Sequence, residues 1–385
     1  MLFTVPEAIS EIKAQVKFKN RQIKPFLFII VVMLAVLAFY QIGVVLLLTK
    51  KNETSVLPFS GSVWKNPYND FSAHNNVEKL ALHTHTNEVW FTPERHGAIE
   101  IWNEYKRNGF SNIAITDYGQ ISKIIGADFI EGFEWGQNLR KRHILSIGAK
   151  RSFSDYFPVY ASRENISWVI DRMRNLGGYV IIPHPKLNDA FSKNELIEIV
   201  GYNAVEVYSP FGDDSRILDI LLSAGRNVHC MANDDLHYLP ESTIKTLNQP
   251  FWKNWIQYLG GQRGRRGESS LRYIVTSDGI RKSDELTKSL QNGSFFCVKK
   301  FFREGEDPKI PKIEIKNNKE IIVSSSERYL EIRWIGQNGE IRKIDPDRNN
   351  SNYQIQDHDT YIRLEIIGLT GSILSNAMYR NGSKP

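Results

Sequence analysis

The chain contains few cysteines and no internal repeat, and each absence removes a class of structure. Only two cysteines occur among the 385 residues, Cys230 and Cys297, and neither has the spacing of a metal-binding motif. No period of about 20 to 50 residues repeats, which argues against a solenoid or a propeller. Both cysteines stand in apolar, strand-like runs, so we expect buried free thiols. One disulfide bond is the alternative if this part of the chain lies outside the cytoplasm.

Excess charge is also absent from most of the chain. The formal net charge is +6, but residues 1–51 carry seven Lys or Arg side chains against two Glu. Of the 49 basic and 43 acidic side chains, 42 and 41 therefore remain for residues 52–385. Sequence-independent binding to nucleic acid needs a concentrated basic surface, so no nucleic-acid partner is expected.

One long run lacks charged residues, at residues 26–48. A helix of these 23 residues would be roughly 34 Å long, enough to cross the hydrocarbon core of a bilayer. A cleaved signal peptide would have a shorter apolar region and small residues at the cleavage site, whereas LLLTKKNETS follows here. We therefore expect an uncleaved transmembrane helix with the lipid bilayer as its partner.

The basic residues around this run predict its orientation. Five precede it, from Lys13 to Lys24, while Lys50 and Lys51 follow directly. By the positive-inside rule, residues 1–25 form a cytoplasmic tail and the large C-terminal part is periplasmic or extracellular. The chain is thus expected to be a single-pass membrane protein.

Strand and helix patterns alternate after a polar linker at residues 49–75. Apolar runs such as NIAITDY and YVIIPHP indicate strands. Thr92-Pro93-Glu94 predicts a helix start, with Thr92 as the N-cap and Pro93 at the first helical position. Ser192 is expected to cap a later helix. Continuous apolar strands that alternate with helices are typical of parallel strands buried on both faces, so the predicted fold class is α/β.

Histidines and carboxylates stand at or near the ends of these strands. They are His83, His85, Asp117, Glu134, His143, His184, Asp235 and His237. The carboxyl ends of parallel strands meet at one mouth of a barrel, and eight such groups would be costly to bury unpaired. Imidazole and carboxylate ligands together suit Zn, Mn or Fe, so a metal site is predicted here.

These residues resemble the PHP (polymerase and histidinol phosphatase) superfamily of metal-dependent phosphoesterases. The matching motifs, in family order over about residues 76–240, are LHTHTN, AITDY, GFEWG, RHILSIG, GGYVIIPHP, NAVEVY and NDDLH. The resemblance implies a distorted (β/α)7 barrel, which we place at residues 76–304.

The C-terminal region has a different pattern. Short strands with period-two alternation and a turn at Asn338-Gly339 predict a small β-sandwich at residues 305–385. Its end, YIRLEIIGLTGSILSNAMYRN, is similar to the β-sandwich of the carbaryl-hydrolase-like branch of the same superfamily. Support of the barrel or ligand binding is its expected role.

The resemblance also implies a set of ligands for each metal ion. The first divalent ion would be held by His83, His85, Glu134 and Asp235. The second would be held by Glu134, His143 and His184, with Glu134 bridging the two. A third site would include His237, but Tyr118 replaces a histidine ligand of the family. We therefore expect two divalent ions (Zn, Mn or Fe) and a lost or weakened third site.

Three further roles are hypotheses. His237 would act as the general acid for the leaving group, Asp117 would orient a ligand, and Tyr118 would donate a hydrogen bond to the substrate. Glu206 ends a strand, and both a position facing the pocket and a structural hydrogen bond remain open.

A glycine-rich loop carries Arg263, Arg265 and Arg266. It is either a solvated flexible loop or a lid whose guanidinium groups bind an anionic substrate. The predicted function is metal-dependent hydrolysis of a small-molecule phosphate ester. Cleavage of a non-phosphate ester, amide or carbamate is the alternative among enzymes. A membrane-tethered binding or sensor protein without catalysis is the alternative from another class.

Overall fold

The computed structural model describes residues 24–43, 46, 57–71, 77–89, 92, 96–124, 129–153, 155, 161–239, 268–277 and 283–382. The chain divides into two compact units, Met1–Lys51 and Asn52–Pro385. In the first unit, helix α1 covers Lys24–Gly43 and is long and apolar enough to cross a membrane. Of the predicted span at residues 26–48, residues 44, 45, 47 and 48 lie outside the described part.

The second unit contains helices and strands in alternation, followed by strands. The helices are α2 (Ala98–Arg107), α3 (Arg163–Asn175), α4 (Lys193–Glu198), α5 (Arg216–Ser223) and α6 (Ser283–Asn292). The first ten strands are β1 (Val63–Lys65), β2 (Glu78–Thr84), β3 (Asn112–Ile115), β4 (Ile130–Trp135), β5 (Ile144–Ile147), β6 (Tyr179–Ile182), β7 (Ala204–Tyr208), β8 (His229–Ala232), β9 (Arg272–Thr276) and β10 (Phe295–Lys300). The remaining strands are β11 (Lys312–Lys316), β12 (Glu320–Ile335), β13 (Ile341–Gln354), β14 (Tyr361–Ile367), β15 (Gly371–Ser375) and β16 (Met378–Asn381). The predicted mixed α/β class is confirmed.

Strands β2 to β8 pair in chain order and close on themselves. The closure forms just after β8, where Leu236 N donates to His83 O at 3.3 Å and His85 N donates to Leu236 O at 2.9 Å. This pairing is parallel, as are the pairs β2–β3, β3–β4, β6–β7 and β7–β8. The ring therefore brings the carboxyl ends of six strands to one face.

Strand β5 is the exception to the predicted parallel arrangement. It pairs antiparallel with both β4 and β6. Its first residue therefore lies at the same face as the last residues of the other strands. This reversal explains why His143 precedes its strand, whereas His83 and Glu134 lie at or near the ends of theirs.

The predicted start of the first barrel helix is wrong. Helix α2 begins at Ala98, after Gly97, and not at Thr92. Asn87 N donates to His96 O at 3.0 Å, and the Glu100 carboxylate accepts from Gly97 N at 2.8 Å. The cap predicted at Ser192 is confirmed, because its hydroxyl accepts from Glu195 N at 3.2 Å.

The C-terminal strands continue the sheet of the barrel. Strand β2 pairs with β9, β9 with β10, β10 with β15 and β15 with β14. One buried apolar cluster joins barrel residues such as Ile181 to Tyr361 and Leu374, and a second joins Ile113 to Trp334. The strands predicted at residues 305–385 are present, and the domain boundaries stay a prediction.

The two cysteines are buried, as predicted, but they are not free thiols. Cys230 on β8 and Cys297 on β10 form a disulfide bond, with their Cα atoms 6.3 Å apart. They are separated by 67 positions in the chain, and only the packing of β8 beside β10 brings them within bonding range. The bond links the last strand of the ring to the strands that precede the C-terminal region.

Candidate metal centre

Six of the predicted ligands meet at the face where the strands end. Among the described residues, two groups have ligand atoms that lie within 4.8 Å of one another. The first group is His83, His85, Glu134 and Asp235, and the second is Glu134, His143 and His184. All six residues are buried. These are the two sets that the family resemblance implied, although their role as ligands stays a prediction.

The first group contains two imidazoles that face two carboxylates. The Nε2 atom of His85 lies 3.0 Å from Glu134 Oε2 and 3.2 Å from Asp235 Oδ1. The Nε2 atom of His83 lies 3.4 and 3.1 Å from the same two oxygens. Because His83 and His85 are two apart on one strand end, their rings point to the same side.

The second group uses the other oxygen of Glu134. Its Oε1 lies 2.7 Å from His143 Nδ1 and 3.4 Å from His184 Nε2. Gly136 allows His143 this position, since a Cβ at Gly136 would come within 2.5 Å of the His143 ring, and its φ is +143°. Each oxygen of Glu134 therefore serves a different group, as expected for a bridging carboxylate.

Burial and charge act in opposite directions on these residues. Burial disfavours a charge on His85, but the neighbouring carboxylates of Asp235 and Glu134 outweigh this effect and raise its pKa to about 10. Burial would raise the pKa of Glu134, yet the nearby His143 and His83 hold that pKa well below its usual value. The pKa of His143 is lowered, chiefly by burial. The site therefore concentrates ionised carboxylates around imidazoles.

The donor set fits divalent cations. Several buried atoms that point into the site make no hydrogen bond among the described residues: His85 Nε2, Glu134 Oε1, His143 Nδ1 and Asp235 Oδ1. Buried polar atoms are normally paired, because an unpaired one costs about 1–3 kcal/mol. A cation between the imidazole nitrogens and carboxylate oxygens would satisfy all of them, and this mixture of ligands suits Zn, Mn or Fe.

Two of these residues have strained backbones. His184 has a φ of 28° and Asp235 has a φ of 45°, both in the left-handed region that side chains other than glycine rarely adopt. Such strain persists where the surrounding structure enforces it, and it is common at functional sites. The two residues follow β6 and β8, where the chain turns away from the strand to present each side chain at the mouth.

The other predicted site residues surround the two groups. Asp117 is buried and accepts hydrogen bonds from Thr86 N at 2.7 Å, from Thr86 Oγ1 at 2.5 Å and from the Ser122 hydroxyl. It therefore fixes the residue after His85. Its three described bonds go to Thr86 and Ser122, not to a histidine.

Two predicted catalytic residues lie against the ring of His85. Tyr118 stacks on it with 4.9 Å between ring centroids, and His237 contacts it edge-on at 4.6 Å. The His237 Nδ1 atom is 3.6 Å from Asp235 Oδ1, but His237 belongs to neither group of candidate ligands. The predicted substrate-binding residues Arg263, Arg265 and Arg266 lie outside the described residues.

A cavity of about 260 Å³ lies beside this face, between barrel loops and the C-terminal strands. Its lining includes Lys186, two residues after His184, and Lys299 and Glu365 from the C-terminal half. The loop that carries Asp213, another lining residue, also places Phe211 against the His184 ring at 5.2 Å between centroids. This cavity could not be predicted from the sequence, because its walls come from distant segments.

Comparison with family models gives no match for this sequence, and comparison with curated proteins gives none. Several solved structures are similar, among them the following three. The first is a two-domain protein from Bacteroides vulgatus ATCC 8482, described as containing a predicted PHP-like metal-dependent phosphoesterase; it is 14% identical, with 87% of this chain and 92% of that chain covered, at a TM-score of 0.41.

The second is PsfC from Pseudomonas syringae PB-5123, at 11% identity, with 56% of this chain and 90% of that chain covered and a TM-score of 0.36. The third, from Bifidobacterium adolescentis ATCC 15703, is described as a candidate metal-dependent phosphoesterase; it is 14% identical, with 56% and 96% covered and a TM-score of 0.35. Two of these neighbours are thus described as metal-dependent phosphoesterases, one of them PHP-like. The buried His/Glu/Asp cluster of this chain itself fits a metal site.

Proposed function

We propose that this protein is a membrane-anchored hydrolase that uses two divalent metal ions to cleave a phosphate ester. The observation that carries the proposal is the position of Glu134, whose two carboxylate oxygens face different sets of candidate ligands. A single carboxylate between two such sets could bridge two cations and so hold them side by side. The closed ring of β2 to β8, with one reversed strand, fits the distorted (β/α)7 barrel that we assign to it.

The bound cations and the residues around them would have different roles in hydrolysis. When bound, the two cations supply Lewis-acid polarisation of the substrate and lower the pKa of a bound water. The buried walls hold the imidazoles and carboxylates in place and limit access of bulk water. His237, half-buried at the rim, is our candidate to protonate the leaving group, and Tyr118 is our candidate to donate a hydrogen bond to the substrate.

The substrate class is proposed from the motifs. The motifs resemble those of PHP phosphoesterases, which favours a phosphate ester over a carboxylic ester, amide or carbamate. The adjoining cavity adds no preference for an anion, because Lys186 is paired with Asp214 at 3.2 Å and Lys299 with Asp213. We place the non-reacting part of the substrate in this cavity.

The location is proposed from the helix and the disulfide bond together. Helix α1 is apolar along its length, and five basic residues precede the apolar run. The disulfide bond between Cys230 and Cys297 is typical of proteins that mature in an oxidising compartment. Both support a cytoplasmic N-terminus and a catalytic part in the periplasm or outside the cell.

The test is hydrolysis by the full chain in detergent. We expect the metal-stripped protein to be inactive, and Mn²⁺ or Zn²⁺ to restore turnover of nitrophenyl phosphate or bis-nitrophenyl phosphate. Glu134→Gln should lower kcat at least about 10³-fold, equivalent to about 4 kcal/mol, since it removes the shared carboxylate. Glu131→Gln, on the same strand but half-buried beside Lys150, is the matched control and should retain activity.

Two other outcomes identify the alternatives. Turnover of naphthyl ester without turnover of either phosphate ester would favour a carboxylic ester, amide or carbamate as substrate. Stoichiometric metal with no turnover of any of them, or a metal content unchanged by Glu134→Gln, would favour a binding or sensor protein.

A further inference from the structure

Glu206 is a buried carboxylate that contacts both groups of candidate ligands without belonging to either. It lies on β7 and is 2% exposed. Its Oε1 lies 3.2 Å from His83 Nδ1 and 2.9 Å from Asn233 Nδ2. Its Oε2 accepts a hydrogen bond from His184 N at 2.8 Å. The carboxylate therefore joins residues from β2, from the turn after β6 and from the turn after β8.

Two of the three partners of Glu206 can act only as donors. A backbone N–H has no acceptor function, so the bond from His184 has one direction. Asn233 Oδ1 accepts from Leu82 N at 3.2 Å, which fixes the orientation of its amide and turns the NH₂ group toward Glu206. The third partner, His83 Nδ1, faces Oε1, the oxygen that also accepts from Asn233 Nδ2, so the hydrogen of this contact lies on Nδ1.

This hydrogen determines which nitrogen of His83 can bind a cation. A neutral imidazole has one protonated nitrogen and one with a free lone pair. With the hydrogen held on Nδ1 by Glu206, the lone pair is left on Nε2. That atom faces Glu134 Oε2 and Asp235 Oδ1, the carboxylate oxygens of the first group.

The bond to His184 serves the second group. His184 has a φ of 28°, a conformation that needs support from its surroundings. The 2.8 Å bond from its N–H to Glu206 and the 2.9 Å bond from Leu187 N to its carbonyl oxygen hold the turn on both sides. The His184 ring then lies 3.4 Å from Glu134 Oε1.

We propose that Glu206 is a positioning residue that sets the nitrogen with which His83 binds metal and holds His184 in its strained turn. This inference rests on the metal centre proposed above, and it assigns a role to a carboxylate outside both groups of candidate ligands. A carboxylate behind a metal-binding histidine fixes the ring and strengthens the ligand, and its loss typically lowers metal affinity about 10–100-fold.

Glu206→Gln is the sharpest variant, because a carboxamide cannot replace this carboxylate. Gln has one accepting oxygen, whereas donors approach both oxygens of Glu206. If the oxygen faces His184 N, the NH₂ group faces His83 and favours the hydrogen on Nε2, which then cannot bind metal. If the amide is reversed, the bond to His184 is lost. Both orientations weaken one group of ligands.

The measurement is titration of the metal-stripped full chain with Mn²⁺ by calorimetry. We expect Glu206→Gln to lower the affinity for Mn²⁺ about 10–100-fold relative to the unchanged protein. Glu104→Gln is the matched control, since Glu104 is also buried and bonded, to Ser269 and Arg303, in a network apart from the candidate ligands. Its affinity should be unchanged even if its stability falls.

A merely structural role for Glu206 would give a different result. In that case both variants would unfold at lower denaturant concentration and both would bind Mn²⁺ as tightly as the unchanged protein. Normal affinity of Glu206→Gln would overturn the inference. Because the experiment measures metal binding and not hydrolysis, the inference about Glu206 is tested separately from the proposed function. A protein that binds metal in this way but hydrolyses no substrate would still agree with the inference.

A second measurement needs no variant of Glu206 and so survives a failure of that variant to fold. In the Zn²⁺-loaded protein labelled with ¹⁵N-histidine, the ring signals of His83, assigned by their loss in His83→Gln, should show the hydrogen on Nδ1. A hydrogen on Nε2 of His83 would overturn the inference.

Discussion

Buried histidines of this molecule differ in charge because their neighbours differ. His85 faces Asp235 and Glu134, and despite its burial its pKa is raised to about 10. His229 is also buried, but the described polar partner of its ring is the Tyr179 hydroxyl, at 2.9 Å from Nδ1. Burial, with a small contribution from Lys65, lowers the pKa of His229 to about 4. The two carboxylates beside His85 and the hydroxyl beside His229 account for the opposite directions of these two pKa shifts, whereas at His143 burial outweighs the single neighbouring oxygen of Glu134.

His229 should make the stability of the protein depend on pH. Its pKa is about 4 in the folded chain and about 6.5 in the unfolded chain, so only the unfolded chain gains a proton between these values. Its contribution is complete above pH 6.5 and is lost as the pH falls toward 4, by about 3 kcal/mol. Urea unfolding of the unchanged protein and of His229→Gln, in parallel at several pH values, measures the difference.

His229→Gln removes the titrating group and keeps an acceptor for Tyr179. The free energy of unfolding of the unchanged protein should therefore fall relative to that of the variant as the pH is lowered from 7 to 4. A difference that stays constant over this range would show that His229 does not titrate as described.

The candidate ligands could be predicted from the sequence because each lies at a recognisable point of the chain. His83, Glu134 and Asp235 stand at or just after apolar strands, and such positions meet at one face of a barrel. The bonds that orient them could not be predicted in this way. Glu206 and Asn233 contact His83 and Leu82 across more than 100 positions of chain, and only the closure of the ring defines these contacts.

At the scale of elements, the antiparallel direction of strand β5 could not be predicted from the sequence pattern. Four buried residues, Ile144–Ile147, have the same apolar character in a parallel and in an antiparallel strand, so their sequence does not fix their direction. The start of α2 also differs from the prediction. Thr92 and Pro93 are residue types that are common at helix starts, whereas the described helix begins after Gly97. Local residue preferences alone therefore do not determine where a helix begins.

A buried ion pair connects helix α5 to strand β14. Arg363 donates from Nε and Nη2 to the two carboxylate oxygens of Asp219, at 2.6 Å each, and both residues are 1% exposed. The Tyr361 hydroxyl donates to the same carboxylate at 3.2 Å. The pair fixes the register between an outer helix of the barrel and the C-terminal sheet.

Removal of one partner from this pair should strongly destabilise the protein. Arg363→Met leaves Asp219 buried and uncompensated, so we expect the free energy of unfolding to fall by roughly 3–5 kcal/mol in denaturant titrations. The control is Arg328→Met, which breaks an exposed pair with Asp347. It should change the free energy of unfolding by less than about 1 kcal/mol. Replacing both partners, as Asp219→Leu with Arg363→Met, should recover part of the lost free energy of unfolding. Equal effects of Arg363→Met and Arg328→Met would contradict this account.

At the scale of the whole molecule, the barrel and the C-terminal strands share their cores. Strand β10 lies between β9 of the barrel side and β15 of the C-terminal side. The apolar cluster that contains Ile181 of the barrel also contains Leu374, and both residues are fully buried. Removal of the C-terminal strands would therefore expose the edge of β10 and apolar surface of the barrel.

A chain that ends at residue 304 should not fold into a stable barrel. We expect it to lack a cooperative unfolding transition and to bind no Mn²⁺ in calorimetry, since it has lost the strand that pairs with β10 and the partner of Asp219. A chain that ends at residue 382 is the control and should behave as the full chain. A cooperative transition with normal metal binding in the shorter chain would instead establish the barrel as an independent domain.

The disulfide bond between Cys230 and Cys297 has a consequence for anyone who prepares this protein. Material made in a reducing cytosol and material recovered from an oxidising compartment would share one sequence but differ by the two thiol hydrogens. Only the oxidised product would have β8, the strand that leads into Asp235, covalently joined to β10. Metal contents and rates from the two preparations would describe two chemical species, so a thiol count belongs beside every such value.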